Sequence, residues 1–85
     1  MDVLIGDIGN TVTKICLVKI KNFKLKKIIY FNSSNITSEN YLKKSLKKII
    51  KKKSIDETAL FSSVVPKYQF LLKKFLKKVY QINLR

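Results

Sequence analysis

The first twenty residues place the tightest constraint on what this chain can become. An apolar run, Val3 to Ile5, leads through Gly6, Asp7, Ile8, Gly9, Asn10 and Thr11 into a second β-branched run that begins at Val12. Two such runs about a Gly-Asn centre define a β-hairpin. Val3 to Asp7 reads as a central strand covered on both faces, and Val12 to Ile20 as its antiparallel partner. The tip carries a carboxylate, a carboxamide, a hydroxyl and a glycine, a set that suits a Mg²⁺-phosphate group. Gly9 lacks a Cβ, so its backbone is free to take positive φ and let an anion approach its N–H groups. Asn10 tolerates the left-handed region, and the Thr11 hydroxyl and the amides after it can face phosphate oxygens. Asp7, at the end of a buried strand, needs a partner for its charge, and Mg²⁺ is commonly held by one or two carboxylates together with substrate phosphates. Lys14 adds a point positive charge. The same residues are also ordinary turn chemistry that binds nothing, and the hairpin alone leaves both possibilities open.

The remainder of the chain reads as an α/β protein. Lys21-Asn22-Phe23 is a polar turn, and Lys24 to Phe31 a third strand that completes an antiparallel meander. Asn32 to Asn35 is loop chemistry. Thr37 or Ser38 caps the helix that follows, with Glu39 in its first turn. Leu42, Leu46, Ile49 and Ile50 make its apolar stripe, and Lys43, Lys44, Lys47, Lys48 and Lys51 to Lys53 fill the rest. Ser54 to Glu57 holds the helix exit and a turn, in which the adjacent Asp56 and Glu57 have no assigned role. Thr58 to Val65 then reads as a strand of the parallel type, reached by the helical crossover. Ser62 and Ser63 near its carboxyl end either line a ligand site or simply allow close packing. Pro66 suits the first position of a second helix, with Tyr68, Leu71, Leu72, Phe75, Leu76 and Val79 on one face and Lys73, Lys74, Lys77 and Lys78 opposite. Tyr80 to Arg85 begins like a fifth strand. The expected order is β-β-β-α-β-α-(β), one mixed sheet with helices on its faces over residues 1–85.

Two segments resemble a known family. Asp7-Ile8-Gly9-Asn10-Thr11 is similar to the first phosphate motif of the type III pantothenate kinases, Asp-x-Gly-Asn-Thr after an apolar first strand. Leu60-Phe61-Ser62-Ser63-Val64-Val65-Pro66 resembles the same family's fourth strand with its Ser-Ser-Val-Val-Pro ending. The resemblance spans nearly the whole chain and implies a ribonuclease H-like core of the acetate kinase, sugar kinase, Hsp70 and actin superfamily. It implies ATP-dependent phosphorylation of pantothenate to 4'-phosphopantothenate in coenzyme A biosynthesis. Asp7 would hold Mg²⁺, directly or through water, and Asp7, Ile8, Gly9, Asn10, Thr11, Val12, Thr13 and Lys14 would surround the ATP phosphates. A glycine often stands in the family where this chain has Cys16. The family's aspartate base in a Gly-x-Asp-Arg motif, its second phosphate motif, its monovalent cation (K⁺ or NH₄⁺), its pantothenate pocket and its homodimer contacts all belong to downstream sequence. No catalytic residue is therefore assigned within these 85 residues, and the chain is expected to be incomplete as a catalyst on its own.

Composition bounds the alternatives. Eighty-five residues allow one small domain with a limited core, and 46% hydrophobic and 28% charged residues are globular values. Cys16 is the single cysteine, so no internal disulfide forms, and without histidine it has no base to make it a nucleophile. A packing role is expected of it. The formal net charge of +14 invites a nucleic-acid or membrane partner, yet 18 of the 19 basic residues are Lys, and readers of base sequence favour Arg. Neither a membrane nor a specific nucleic acid is expected as partner. No apolar run approaches the roughly 18 residues needed to cross a bilayer, and a cytoplasmic, unprocessed protein is expected. Two other functions stay open: a small basic nucleic-acid-binding module, and a regulator of the Bvg accessory factor type, whose sequences share the kinase pattern.

Overall fold

A computed structural model describes residues 1–50 and 55–85. Its elements are β1 (Asp2–Ile8), β2 (Val12–Lys19), β3 (Lys24–Asn32), a 3₁₀ turn (Ser33–Thr37), α1 (Glu39–Lys47), β4 (Thr58–Ser63), α2 (Pro66–Tyr80) and β5 (Asn83–Leu84). They form a five-stranded mixed sheet in the order β3-β2-β1-β4-β5 with β1 at its centre. β1 pairs antiparallel with β2 and parallel with β4, so one of its edges is closed by a hairpin and the other by a helical crossover.

Strand parity decides what lies on each face. Leu4, Gly6 and Ile8 of β1 share a face with Thr13, Ile15 and Leu17 of β2, because Leu4 sits opposite Leu17, Gly6 opposite Ile15 and Ile8 opposite Thr13. That face packs against Leu42 and Leu46 of α1 and Leu72, Phe75 and Leu76 of α2 in one buried cluster. The intervening residues face away from both helices: Leu60, Ile5, Cys16 and Ile28 form one row across four strands, and Val3, Val18 and Leu25 the next. Leu60 and Leu25 are about half exposed, at 50% and 52%. The expectation that β1 is covered on both faces is corrected for the described residues, among which both helices lie on one side of the sheet and no element covers the other. Cys16 belongs to that open side and is only half-buried, which corrects its expected place in the core.

Local chemistry explains the helix limits. The Ser38 hydroxyl accepts from the Tyr41 N–H and starts α1, with Glu39 in the first turn. Asn32 caps the 3₁₀ turn in the same manner, so the stretch expected to be a loop is partly helical. α1 ends at Lys47, and Ile49 and Ile50, buried as expected, reach the core from the chain beyond the helix. The Lys51 to Lys53 part of the expected helix, and Ser54, fall outside the described residues. Pro66 occupies the first turn of α2, and Gln81 at φ 54° ends it in the left-handed conformation that commonly closes helices. β4 is shorter than expected, ending at Ser63 where the chain turns towards Pro66.

Two features had no obvious signal. A register shift in β3 between the partners of Leu17 and Val18 leaves Lys26 as an extra residue, and its Nζ reaches the buried Asp2 carboxylate at 2.8 Å. Tyr80 packs edge-on to Phe75 with ring centroids 6.1 Å apart, and burial pushes its hydroxyl above the ordinary tyrosine range.

The contact between β1 and β4 depends on the absence of a side chain at Gly6. A Cβ there would stand 2.6 Å from Cδ2 and 2.7 Å from Cζ of Phe61, the directly opposite residue. Gly6→Ala is expected to destabilise the fold by about 1–3 kcal/mol through overpacking, and Phe61→Leu in the same chain to recover part of it. Urea melts of the single and double variants measure both.

Candidate functional site

The tip of the first hairpin is held from three directions. Ile8 pairs with Thr13, and the Gly9 N–H donates to the Val12 carbonyl at 3.1 Å, which leaves Asn10 and Thr11 as an exposed two-residue turn. Neither Gly9 nor Asn10 takes positive φ, contrary to the expectation from the sequence. Glycine is required at position 9 for space instead, because a Cβ would lie 2.8 Å from the Val12 carbonyl oxygen.

The second hold comes from the end of β3. Ser33 Oγ donates to the Gly9 carbonyl at 2.7 Å, and the Ser33 N–H donates to the Thr11 carbonyl at 2.8 Å. Ser33 Oγ also lies 2.7 Å from Thr13 Oγ1, and since its single proton is committed to Gly9, Thr13 is the donor in that bond. Both hydroxyl residues are fully buried. The third hold is the Val64 N–H on the Ile8 carbonyl at 3.1 Å. Ser63 supports this side, its Oγ accepting from the Val65 N–H at 3.0 Å and lying 3.1 Å from the Val65 carbonyl, to which it donates.

Asp7 is exposed, not placed at a buried strand end, because odd-numbered β1 side chains point to the open face. Its Oδ1 accepts from Ser62 Oγ at 2.9 Å, and among the described residues no other hydrogen bond to the carboxylate is present. Register sets Ser62, Asp7, Lys14 and Tyr30 in a polar row across β4, β1, β2 and β3, one step from the apolar rows and beside the turn. The structure therefore brings Asp7, Asn10, Thr11 and Lys14 to one exposed end of the sheet, together with half-buried Gly9 and exposed Val12. Ile8 and Thr13 are buried, and their side chains serve the core and the hydroxyl pair.

Ser62 and Ser63, which the sequence treated alike, divide their work: Ser62 orients Asp7 and Ser63 shapes the turn into α2. Ser33 was missed. The signal that could have found it is positional, a serine two residues beyond Phe31, whose partner on β2 is Thr13. Among the described residues no three His, Cys, Asp or Glu side chains converge, so Asp7 is the carboxylate this end offers to a cation. The cleft of about 500 Å³ lined by Ile50, Ile55, Val79 and Ile82 lies at the other end of β1, where Ile55 bridges Asp2.

The molecule is a mixed α/β protein with a polar turn and a solvent-facing carboxylate at the carboxyl end of its central strand, the end at which open α/β sheets commonly bind ligands. The family model for type III pantothenate kinase matches residues 3–85. The chain belongs to that family. A type III pantothenate kinase of Pelagibacter ubique (strain HTCC1062) is 47% identical over 82 residues, covering 95% of this chain and 32% of that relative. The chain thus spans about a third of the length of the curated relative it matches. Among solved structures, a reductive activator for corrinoid, iron-sulfur protein superposes with a TM-score of 0.60 at 12% identity, over 96% of this chain and 18% of that one. That likeness is one of fold.

The hydroxyl pair predicts an asymmetric mutational response. Ser33→Ala strands both the Gly9 carbonyl and the buried Thr13 hydroxyl and is expected to cost about 1–3 kcal/mol. Thr13→Val leaves the Ser33 to Gly9 bond in place and should cost less. Thermal melts of both single variants and the double check the order, and the double is expected to fall well short of the sum.

Proposed function

We propose that this chain is the nucleotide-phosphate part of a type III pantothenate kinase, the piece of the enzyme that grips the charged tail of ATP. Its sheet corresponds in this reading to a ribonuclease H-like core, with residues 1–85 acting as one unit. The observation that carries the proposal is the exposed Asp7 carboxylate beside the exposed Asn10–Thr11 turn, with Lys14 as its neighbour across the hairpin.

The donor set fits a magnesium ion. Ser62 takes one carboxylate oxygen of Asp7 and leaves the other open to solvent, and Mg²⁺ typically binds through one or two carboxylates while keeping waters and phosphate oxygens. When bound, the ion neutralises charge on the phosphates. Gly9, Asn10 and Thr11 present backbone and side-chain donors to phosphate oxygens, and Lys14 adds a positive charge. Ile8, Val12 and Thr13 frame the turn, with Thr13 and Ser33 fixing its shape before any ligand arrives. Such preorganisation matters because phosphoryl transfer gains its rate from positioning and charge stabilisation.

The reaction proposed for the complete enzyme moves the γ-phosphoryl group of ATP to the pantothenate hydroxyl, forming a new P–O bond as the bond to ADP breaks. The base that takes the hydroxyl proton, the pantothenate pocket, the monovalent cation site and the homodimer contacts are assigned to family sequence beyond the third matched here. A cytoplasmic setting suits ATP and coenzyme A chemistry. Among the described residues no helix is long and apolar enough to cross a membrane.

Titration of this chain with ATP, in Mg²⁺ and again in EDTA, tests the assignment. Asp7→Asn is expected to lower affinity about tenfold or more in Mg²⁺, a loss of about 1.4 kcal/mol or more, and to leave binding in EDTA unchanged or slightly tighter. Equal affinity of the two proteins in Mg²⁺ would remove the metal role from Asp7.

A further inference from the structure

The face that α1 and α2 turn away from the sheet lies on the opposite side of the molecule from Asp7. Helix periodicity puts Phe70, Lys73, Lys74, Lys77 and Lys78 of α2 on that face, and together they line one open hollow. A second hollow joins the two helices, with Lys43, Lys44 and Lys47 of α1 on one wall and Val79 and Tyr80 of α2 on the other. All seven lysines are exposed, and among the described residues Glu39 is the one carboxylate that pairs with any of them, at 3.3 Å from Lys78. Lys73 and Lys77, like Lys74 and Lys78, stand one turn apart, where like charges oppose helix formation. Phe70 breaks the pattern. It is 62% exposed in the middle of this basic surface, with the Lys74 Nζ 5.8 Å from its ring centroid.

We propose that this face binds single-stranded nucleic acid without regard to sequence, the lysines meeting phosphates and the Phe70 ring stacking on an unpaired base. Charge selects a polyanion as occupant, since a chain of net charge +14 concentrates seven cations here against one paired carboxylate. The ring selects a single strand: an aromatic side chain stacks on the flat face of a base, which a duplex keeps inside its own stack. Neither helix contains arginine, so the planar fork that reads base edges is missing and contact is with phosphate and base face alone. A lipid surface fits less well. A helix lying in a membrane interface inserts a whole apolar face, and those of α1 and α2 are taken up by the core, where Leu42, Leu46, Leu72 and Leu76 are fully buried.

Fluorescence anisotropy of a labelled oligo(dT) of about 12 nucleotides, titrated with this chain over a series of salt concentrations, tests the assignment. The titrations are made in EDTA, so that their outcome stands apart from that of ATP binding in Mg²⁺. About five lysine to phosphate contacts give a slope of about −3.5 in log K against log[salt], and the double substitution Lys73→Gln, Lys77→Gln should reduce its magnitude by about 1.4. Phe70→Ala should weaken binding about tenfold with the slope unchanged. Phe70→Tyr, which keeps the ring, should bind as the parent chain does, and Phe70→Leu as weakly as the alanine variant. Melts of all these variants should match the parent, because every substituted side chain is exposed. With inorganic polyphosphate in place of the oligonucleotide, which offers charge and no base, the effect of Phe70→Ala should vanish. Equal affinity of the parent and Phe70→Ala for oligo(dT) would overturn the proposal and leave the face a general cation surface. Full binding by Phe70→Leu would overturn it too, by showing apolar contact in place of stacking. Phosphatidylglycerol vesicles that bind in a Phe70-dependent way while oligo(dT) does not would give the face to a lipid surface, with the same consequence.

Discussion

Everything in this fold is referred to β1, a strand that must satisfy its backbone on both edges by different means. On one edge the chain turns back within two residues and pairs in antiparallel register from Asp2–Lys19 to Ile8–Thr13. On the other it returns only after α1, and pairs in parallel from Ile5–Leu60 to Ile8–Ser63. A parallel return closes a longer loop than a hairpin does and costs more chain entropy. Gly6 makes that pairing possible, since the Phe61 ring occupies the volume a side chain would take. The carboxyl ends of β1 and β4 are thereby brought level, and Asp7 and Ser62 meet.

The candidate site follows from this arrangement and not from a dedicated cavity. Its carboxylate is exposed and its turn is exposed, but the atoms that set the turn's shape are buried. Ser33 and Thr13 form a dry hydroxyl pair under the surface, and the Gly9 carbonyl is drawn inward to it. Such a pair gives little net stability when made and costs more when half removed, which is why buried polar contacts of this kind hold one backbone geometry against close competitors. A turn that keeps its N–H groups in fixed directions can receive an anion without first paying to order itself.

Much of this was legible in local chemistry. Ser38 before Glu39, Pro66 at the head of the second helix and Gly-Asn between two apolar runs each specify a boundary through one side chain and its neighbours. The mixed α/β class follows from those boundaries. What the sequence does not carry is information about the third dimension. Alternation along β1 distinguishes two faces but does not say whether the second is covered, and Asp7 was therefore read as a buried end when it is on the open side. Ser33 lies twenty residues from Thr13, and Lys26 reaches Asp2 only because of a register shift in β3. The Asp-x-Gly-Asn-Thr pattern located the tip correctly while misassigning the reason for Gly9, which serves steric clearance and not positive φ.

The distribution of lysine separates what stabilises the fold from what covers its surface. The ion pair between Lys78 and Glu39 joins the two helices at 3.3 Å, but both side chains are mostly exposed, at 67% and 57%, and pairs of that kind contribute little. α1 has nine residues and a strongly basic outer face, too short and too self-repelling to persist alone. Its place is held by Leu42 and Leu46, fully buried against the same cluster as Leu72 and Leu76. The positive charge of the helices thus rides on elements whose attachment is apolar, and on the open sheet face charge is confined to Asp7 and Lys14 at one end and to Arg85, paired beside Leu60, at the edge. Two surfaces of opposite character result, a hydrated helical one and a largely apolar sheet face, one polar border of which, the row of Ser62, Asp7 and Lys14, lies beside the turn where phosphate chemistry is proposed.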